Sequence, residues 1–119
     1  MVLLVEDEPA QRWLFASALR ELGLVVIEAA NGEEALRKSH EIEHVDLVVT
    51  DIRMPVMDGL ELVDRLRHQF HDLTVLFVTG YHVESLASAH TFVMQKPFTH
   101  DALLRRVDDI LRTGAPAVH

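Results

Sequence analysis

Side chains able to do chemistry stand at the ends of apolar runs in this 119-residue chain. Glu6-Asp7-Glu8 follows Val2-Leu3-Leu4-Val5, and Thr50-Asp51 follows Leu47-Val48-Val49. Thr79-Gly80 follows Val75-Leu76-Phe77-Val78, and Lys96-Pro97 follows the weaker run Thr91-Phe92-Val93-Met94. Carboxylates gathered in one crevice repel, and at least one takes up a proton unless a cation intervenes. A hard divalent cation with oxygen ligands is the natural partner. Mg2+ uses one or two protein carboxylates, keeps waters and leaves room for a phosphate. Lys96 adds a positive charge for a carboxylate or for phosphoryl oxygens, Thr79 adds a hydroxyl donor, and Gly80 leaves open space beside it. Such a set suits phosphoryl transfer, with Asp51 as carboxylate nucleophile and metal and lysine stabilising the moving charge.

These side chains can meet only if the apolar runs are neighbouring strands. With Leu24-Val25-Val26-Ile27 the runs number five, and the first four lack polar alternation, as strands buried on both faces do. The stretches between them have helical spacing. Glu8 to Leu22 carries Ala10, Trp13, Leu14, Ala18, Leu19 and Leu22, with Gly23 as its stop. Glu33 to Ser39 follows the Asn31-Gly32 turn, and Gly59 to Phe70 carries Leu62, Val63, Leu66 and Phe70. A last helix from an N-cap at Thr99 to Arg112 carries Leu103, Val107, Ile110 and Leu111. Alternating βα units predict an α/β fold, a doubly wound five-stranded parallel sheet of flavodoxin-like order 2-1-3-4-5 flanked by helices. Ligands bind such sheets at the switch point beyond the carboxyl ends of the strands, here between the first and third. Glu6, Asp7 and Asp51 would meet there, with Thr79 and Lys96 beside them.

Composition narrows the partners. Eleven Lys and Arg against 19 Asp and Glu give a net charge of −8, which argues against direct nucleic-acid binding. The chain has no cysteine, so disulfides, zinc–thiolate sites and thiol catalysis are excluded. No apolar run reaches membrane-span length, and Met1 is not followed by a signal-peptide pattern. The expectation is one cytoplasmic domain over residues 1–113, with a flexible tail over 114–119.

The chain resembles the CheY-like receiver domain of two-component response regulators. The matching segments are Val2 to Pro9, Ala30 to Leu36, Asp46 to Gly59 (with Asp51-Ile52-Arg53-Met54-Pro55-Val56-Met57-Asp58-Gly59), Val78-Thr79-Gly80 and Lys96-Pro97-Phe98. The resemblance implies that Asp51 accepts a phosphoryl group from a phosphohistidine of a sensor kinase or histidine phosphotransfer protein. It implies Mg2+ held by Asp7, Asp51 and the backbone carbonyl of Arg53, with Glu6 acting largely through water. Thr79 and Lys96 would bind phosphoryl oxygens, and water would then hydrolyse the acyl phosphate. Arg53 and Tyr81, with Gly80, would flank that water path and tune its rate. The domain would be a signalling module, not an enzyme with a separate substrate, and a monomer or weak dimer. It would stand alone or belong to a hybrid histidine kinase. Trp13 and Leu14 lie where such receivers dock the histidine donor.

Two positions depart from that pattern. The family's switch tyrosine or phenylalanine, three residues before the lysine, is Val93, and Phe92 beside it points to the other face of a strand. The span from Thr79 to Lys96 is several residues short, all within the fourth helix, where His82 to Ala89 offers only Val83, Leu86, Ala87 and Ala89. A stubby or disordered fourth helix is expected, with local ordering on phosphorylation as one way to signal without an aromatic switch.

Plainer readings stand beside these. Glu6-Asp7-Glu8 alone could simply start a helix, Thr79 could end a buried strand, Lys96 and Arg53 could be solvated, and Asp58-Gly59 reads as turn chemistry. The pairs His40/His44 and His68/His71 have helix-face spacing without a third ligand. A haloacid-dehalogenase-type phosphatase would want Asp-x-Asp after the first strand. A nucleotide or flavin binder would want a glycine-rich phosphate loop, and the chain has neither.

Overall fold

The computed structural model of the chain describes residues 1–80 and 86–113. Its elements run β1 (Val2–Val5), α1 (Pro9–Glu21), β2 (Val26–Ala29), α2 (Gly32–Ser39), β3 (Leu47–Asp51), α3 (Gly59–Gln69), β4 (Val75–Thr79), β5 (Thr91–Gln95) and α4 (His100–Thr113). The five strands are parallel and ordered β2-β1-β3-β4-β5, so the order 2-1-3-4-5 read from the apolar runs is the one that forms.

The pleat explains the composition of the central strands. Successive side chains point to opposite faces, and both faces are covered. Val2, Leu4, Val49, Leu76 and Val78 pack with Phe15 and Leu19 of α1 and with Leu103, Val107 and Ile110 of α4. Leu3, Val5, Val48 and Phe77 pack with Ala35 of α2 and with Leu62, Val63 and Leu66 of α3. Every residue of β1 and β4 is therefore buried. The adjacent pair at the switch position divides the same way, Phe92 to the α1/α4 layer and Val93 to the α2/α3 layer.

Two elements differ from expectation. The second strand is Val26–Ala29 rather than Leu24–Ile27, because pairing with β1 sets its register from Val2↔Val26 to Val5↔Ala29. As an edge strand it buries only its end residues, so apolar composition is a poor guide to its limits, and Val25 lies exposed before it. In α1 the buried face is Phe15, Ala16, Ala18 and Leu19, while Trp13 and Leu14 face solvent. That helix holds more apolar residues than one stripe can bury, and contact with the sheet selects among them.

Helix starts follow local chemistry. Asn31 Oδ1 accepts from Glu34 N, Asp58 Oδ1 from Glu61 N and Thr99 Oγ1 from Ala102 N. Gly23, at φ 80°, supplies the left-handed residue that ends α1. Of the expected stubby helix over 82–89, residues 82–85 lie outside the described residues. The described remainder up to His90 contains no α-helix; Ser88 forms an antiparallel bridge with Thr91. Arg67 of α3 secures this return, donating to Leu73 O, His90 O and Thr91 Oγ1 at 3.2, 3.2 and 2.8 Å. Beside it lies a cavity of about 240 Å³ lined by Leu60, Val63, Phe77, Leu86 and Thr91, among others. The tail expected to be flexible, 114–119, is likewise outside the described residues. No helix among the described residues is long and apolar enough to cross a membrane.

Candidate functional site

Parallel strands deliver their last residues to one rim. Glu6 follows β1, Asp51 closes β3, Thr79 closes β4 and Lys96 follows β5. Lys96 Nζ lies 2.9 Å from Asp51 Oδ2 and 3.3 Å from Glu6 Oε1, so one ammonium joins carboxylates 90 and 45 residues away in sequence. The Lys96 backbone is fixed by its N–H, which donates to Thr79 O at 2.6 Å, and the Lys96–Pro97 peptide is cis. Thr79 is fully buried at the strand end. Arg53 N donates to Asp51 Oδ1 at 3.2 Å, while its residue is exposed.

The three acids after β1 divide. Glu6 is 2% exposed and its Oε2 accepts from Glu8 N at 3.2 Å. Asp7 is exposed beside it. Glu8 turns away as the N-cap of α1, accepting from Ala10 N at 3.2 Å and Gln11 N at 2.8 Å. Glu8 thus starts the helix, whereas Glu6 faces Lys96 at the strand-end rim. Asp58 and Gly59 do turn chemistry, as read, but Gly59 does more. A Cβ there would stand 2.2 Å from the carbonyl oxygen of Asp51, so α3 abuts the end of β3. At Gly80 a Cβ would meet nothing within 4 Å among the described residues. Tyr81 lies outside the described residues, and Val93 is half-buried on the α2/α3 side.

Burial pushes the Glu6 carboxyl above the ordinary glutamate range. The Glu8 N–H opposes that rise, the neighbouring Asp7 carboxyl adds to it, and Lys96 moderates it. Burial pulls Lys96 down, but the hydrogen bond to Asp51 and the charges of Glu6 and Asp51 outweigh it, leaving its pKa above that of a free lysine. The ammonium is thus firmly charged, and one unit of positive charge faces several carboxylates. Among the described residues, no three His, Asp or Glu side chains are disposed as a metal cluster. The cation binding the carboxylates together is Lys96 itself. Glu6 and Asp51 oxygens within 3.3 Å of one ammonium nonetheless match the one or two carboxylates that Mg2+ asks for, with Asp7 adjacent and open to water.

The histidine pairs do other things. His44 Nε2 lies 2.8 Å from Asp46 Oδ1, His68 Nδ1 lies 2.8 Å from Asp64 O, and His40 caps the end of α2. Two features of the site had no sequence signal. The Lys96 ammonium stands 6.0 Å from the centre of the Phe15 ring, which stacks on Phe98 at 5.6 Å and bounds a cleft of about 160 Å³ with Gln11 and Pro97. Arg12 Nη1 donates to the backbone carbonyl of Glu6 at 2.8 Å.

Known proteins are similar to this chain in sequence and fold. A family model described as the response regulator receiver domain matches residues 2–108. Sensor kinase CckA of Brucella abortus (strain 2308) is 40% identical over 92% of this chain, which spans 12% of that protein. The transcriptional regulatory protein GlrR of Escherichia coli (strain K12) is 35% identical over 98% of this chain, which spans 27% of it. A chemotaxis protein CheY homolog of Campylobacter jejuni (strain 81-176) is 33% identical over 96% of this chain and 94% of its own length. The crystal structure of the receiver domain from hybrid histidine kinase CckA superposes with a TM-score of 0.81 at 36% identity, over 92% of this chain and 97% of that one. The response regulator TrrA of Thermotoga maritima, solved in complex with Mg2+–BeF, gives 0.77 at 33% identity, over 92% and 96%. With the strand ends of its sheet carrying Asp51, Thr79 and Lys96 and the family match running almost from end to end, the chain belongs to the response regulator receiver domains of two-component systems.

Proposed function

We propose that this chain is a phosphorelay receiver that accepts a phosphoryl group on Asp51 from a phosphohistidine of a sensor kinase or histidine phosphotransfer protein, requires Mg2+, and dephosphorylates itself. It serves as a cytoplasmic stand-alone regulator or as the receiver of a hybrid histidine kinase. The observation that carries this reading is the single Lys96 ammonium held between Asp51 and Glu6 at 2.9 and 3.3 Å. A carboxylate nucleophile is useful there only if the charge that builds up beside it is neutralised, and the lysine is already in position.

Asp7, Asp51 and the Arg53 carbonyl would hold Mg2+, with Glu6 behind them; the metal neutralises phosphoryl charge when bound. A carboxylate oxygen of Asp51 attacks phosphorus, the phosphorus–nitrogen bond of the donor breaks, and the histidine leaves as imidazole. Lys96 and the Thr79 hydroxyl take the phosphoryl oxygens. Water then attacks phosphorus in line, releasing inorganic phosphate and restoring the carboxylate. On this reading the exposed Arg53 would flank the path of that water, so Arg53→Ala should change the decay rate of the phosphorylated protein severalfold in a radiolabel chase; an unchanged rate removes its modulating role.

The test of the whole reading is incubation with Mg2+ and acetyl phosphate or phosphoramidate, followed by intact mass. The wild type should gain one phosphoryl group, and Asp51→Asn or excess EDTA should abolish the gain. A wild-type chain that acquires nothing from either donor, and gives no response to beryllofluoride, overturns it.

A further inference from the structure

Arg12 is a polar side chain of α1 to which neither the strand-end chemistry nor the family resemblance assigns a task. Its side chain is only 22% exposed, although it sits on a surface helix. Nη1 donates to Glu6 O at 2.8 Å, and Nε lies 3.7 Å from Glu28 Oε1 on β2. Glu28 is itself held by Arg20 Nη1 at 3.1 Å, and its backbone carbonyl accepts from Lys38 Nζ at 2.6 Å.

The bonded carbonyl belongs to the peptide unit between Glu6 and Asp7. A peptide unit is planar, so fixing its carbonyl direction fixes ψ of Glu6 and φ of Asp7 together. Those two angles aim the two acids that follow β1. Among the described residues the backbone of the segment has one other tie to the sheet, Glu6 N to Ala29 O at 3.1 Å, while the Glu6 side chain accepts from Glu8 N at 3.2 Å and from Lys96 Nζ at 3.3 Å.

We infer that Arg12, braced by Glu28, is a positioning residue that sets the Glu6–Asp7 peptide plane and so orients the acids toward Mg2+. This rests on the metal-dependent reading above. Arg12 touches no reacting atom; it acts through the backbone of the acids.

The experiment is Mg2+ titration by calorimetry of the wild type, Arg12→Met, Arg12→Lys and Glu28→Gln, each checked for folding by far-UV circular dichroism. Methionine keeps the aliphatic packing and removes the donor. Loss of a group that orients a metal ligand costs about tenfold or more in affinity, so Arg12→Met should bind Mg2+ about tenfold more weakly. Lysine should restore most of the loss, and Glu28→Gln, which leaves the bond to Glu6 intact, should cost less than methionine. In the wild type the Arg12 Nη–H resonances should shift as Mg2+ is added, a readout that survives even if Arg12→Met does not fold. Wild-type affinity in folded Arg12→Met, or Arg12 resonances indifferent to Mg2+, overturns the inference alone. A wild-type chain that binds no Mg2+ overturns the metal reading as well.

Discussion

Lys96 holds two carboxylates with one ammonium, and the consequence of removing it differs for the two. Asp51 is partly open and can be rehydrated, whereas Glu6 is 2% exposed and cannot. Lys96→Met should therefore destabilise the protein by about 2 kcal/mol, less than for a fully buried pair because the lysine is a quarter exposed. Urea denaturation at neutral pH measures this. The pH dependence has a defined sign. The folded pKa of Lys96 lies above its unfolded value, so its contribution is complete below the ordinary lysine pKa and is lost as pH rises through the folded value. Above the range in which Glu6 and Asp51 protonate, wild type and Lys96→Met should hence converge in stability only under strongly alkaline conditions; convergence near neutrality would refute the assignment. At this scale the sequence was readable where residue type alone decides. A lysine, a threonine and an aspartate at strand ends announce themselves. Glu8 did not, because only the cap geometry separates a capping glutamate from a ligating one, and Arg12 did not, because its partner is a backbone carbonyl that sequence does not display.

The β3–α3 junction ties chemistry to packing. Gly59 starts α3 directly against the carbonyl of Asp51, and its N–H donates to Ile52 O at 2.7 Å. Gly59→Ala would force a Cβ to within 2.2 Å of that backbone oxygen, and backbone cannot yield as a side-chain tip can. A loss of about 3 kcal/mol is expected from denaturant curves. If Asp51 is the phosphoacceptor proposed above, phosphorylation from acetyl phosphate should slow as well, since relief requires moving the strand end that carries Asp51. Near-normal stability would show that the junction relaxes freely. Elements buried on both faces declared their limits in the sequence; β1 is the example, with every residue apolar and covered. The edge strand β2 did not. One of its flanks is unpaired, Glu28 is tolerated within it, and its register is set by β1 and not by its own composition.

Across the whole molecule, the sheet is closed at its β5 edge by one guanidinium. Arg67 reaches from α3 to three acceptors around the β4–β5 return and is half withdrawn from water, which holds its pKa below that of a free arginine. His90, one of the partners, has φ 65°, a conformation uncommon for a residue with a side chain. Arg67→Met should take this donor from Leu73 O and Thr91 Oγ1, while His90 O keeps its bond from Val75 N at 2.8 Å, at a cost of about 2 kcal/mol, with amide-exchange protection falling first at residues 90 and 91. Uniform loss across the sheet would contradict a local role. Sequence length alone indicated that this return is short, yet it named neither the clamp nor the turn, because both depend on which atoms face each other once β4 and β5 have paired. That pairing runs from Val75↔Thr91 to Thr79↔Gln95, and so it seats Lys96 beside Thr79 whatever the length of the connection that leaves β4 and returns to the start of β5. A lineage can therefore trim or rebuild residues 82–90 and still inherit the backbone contact between Lys96 and Thr79.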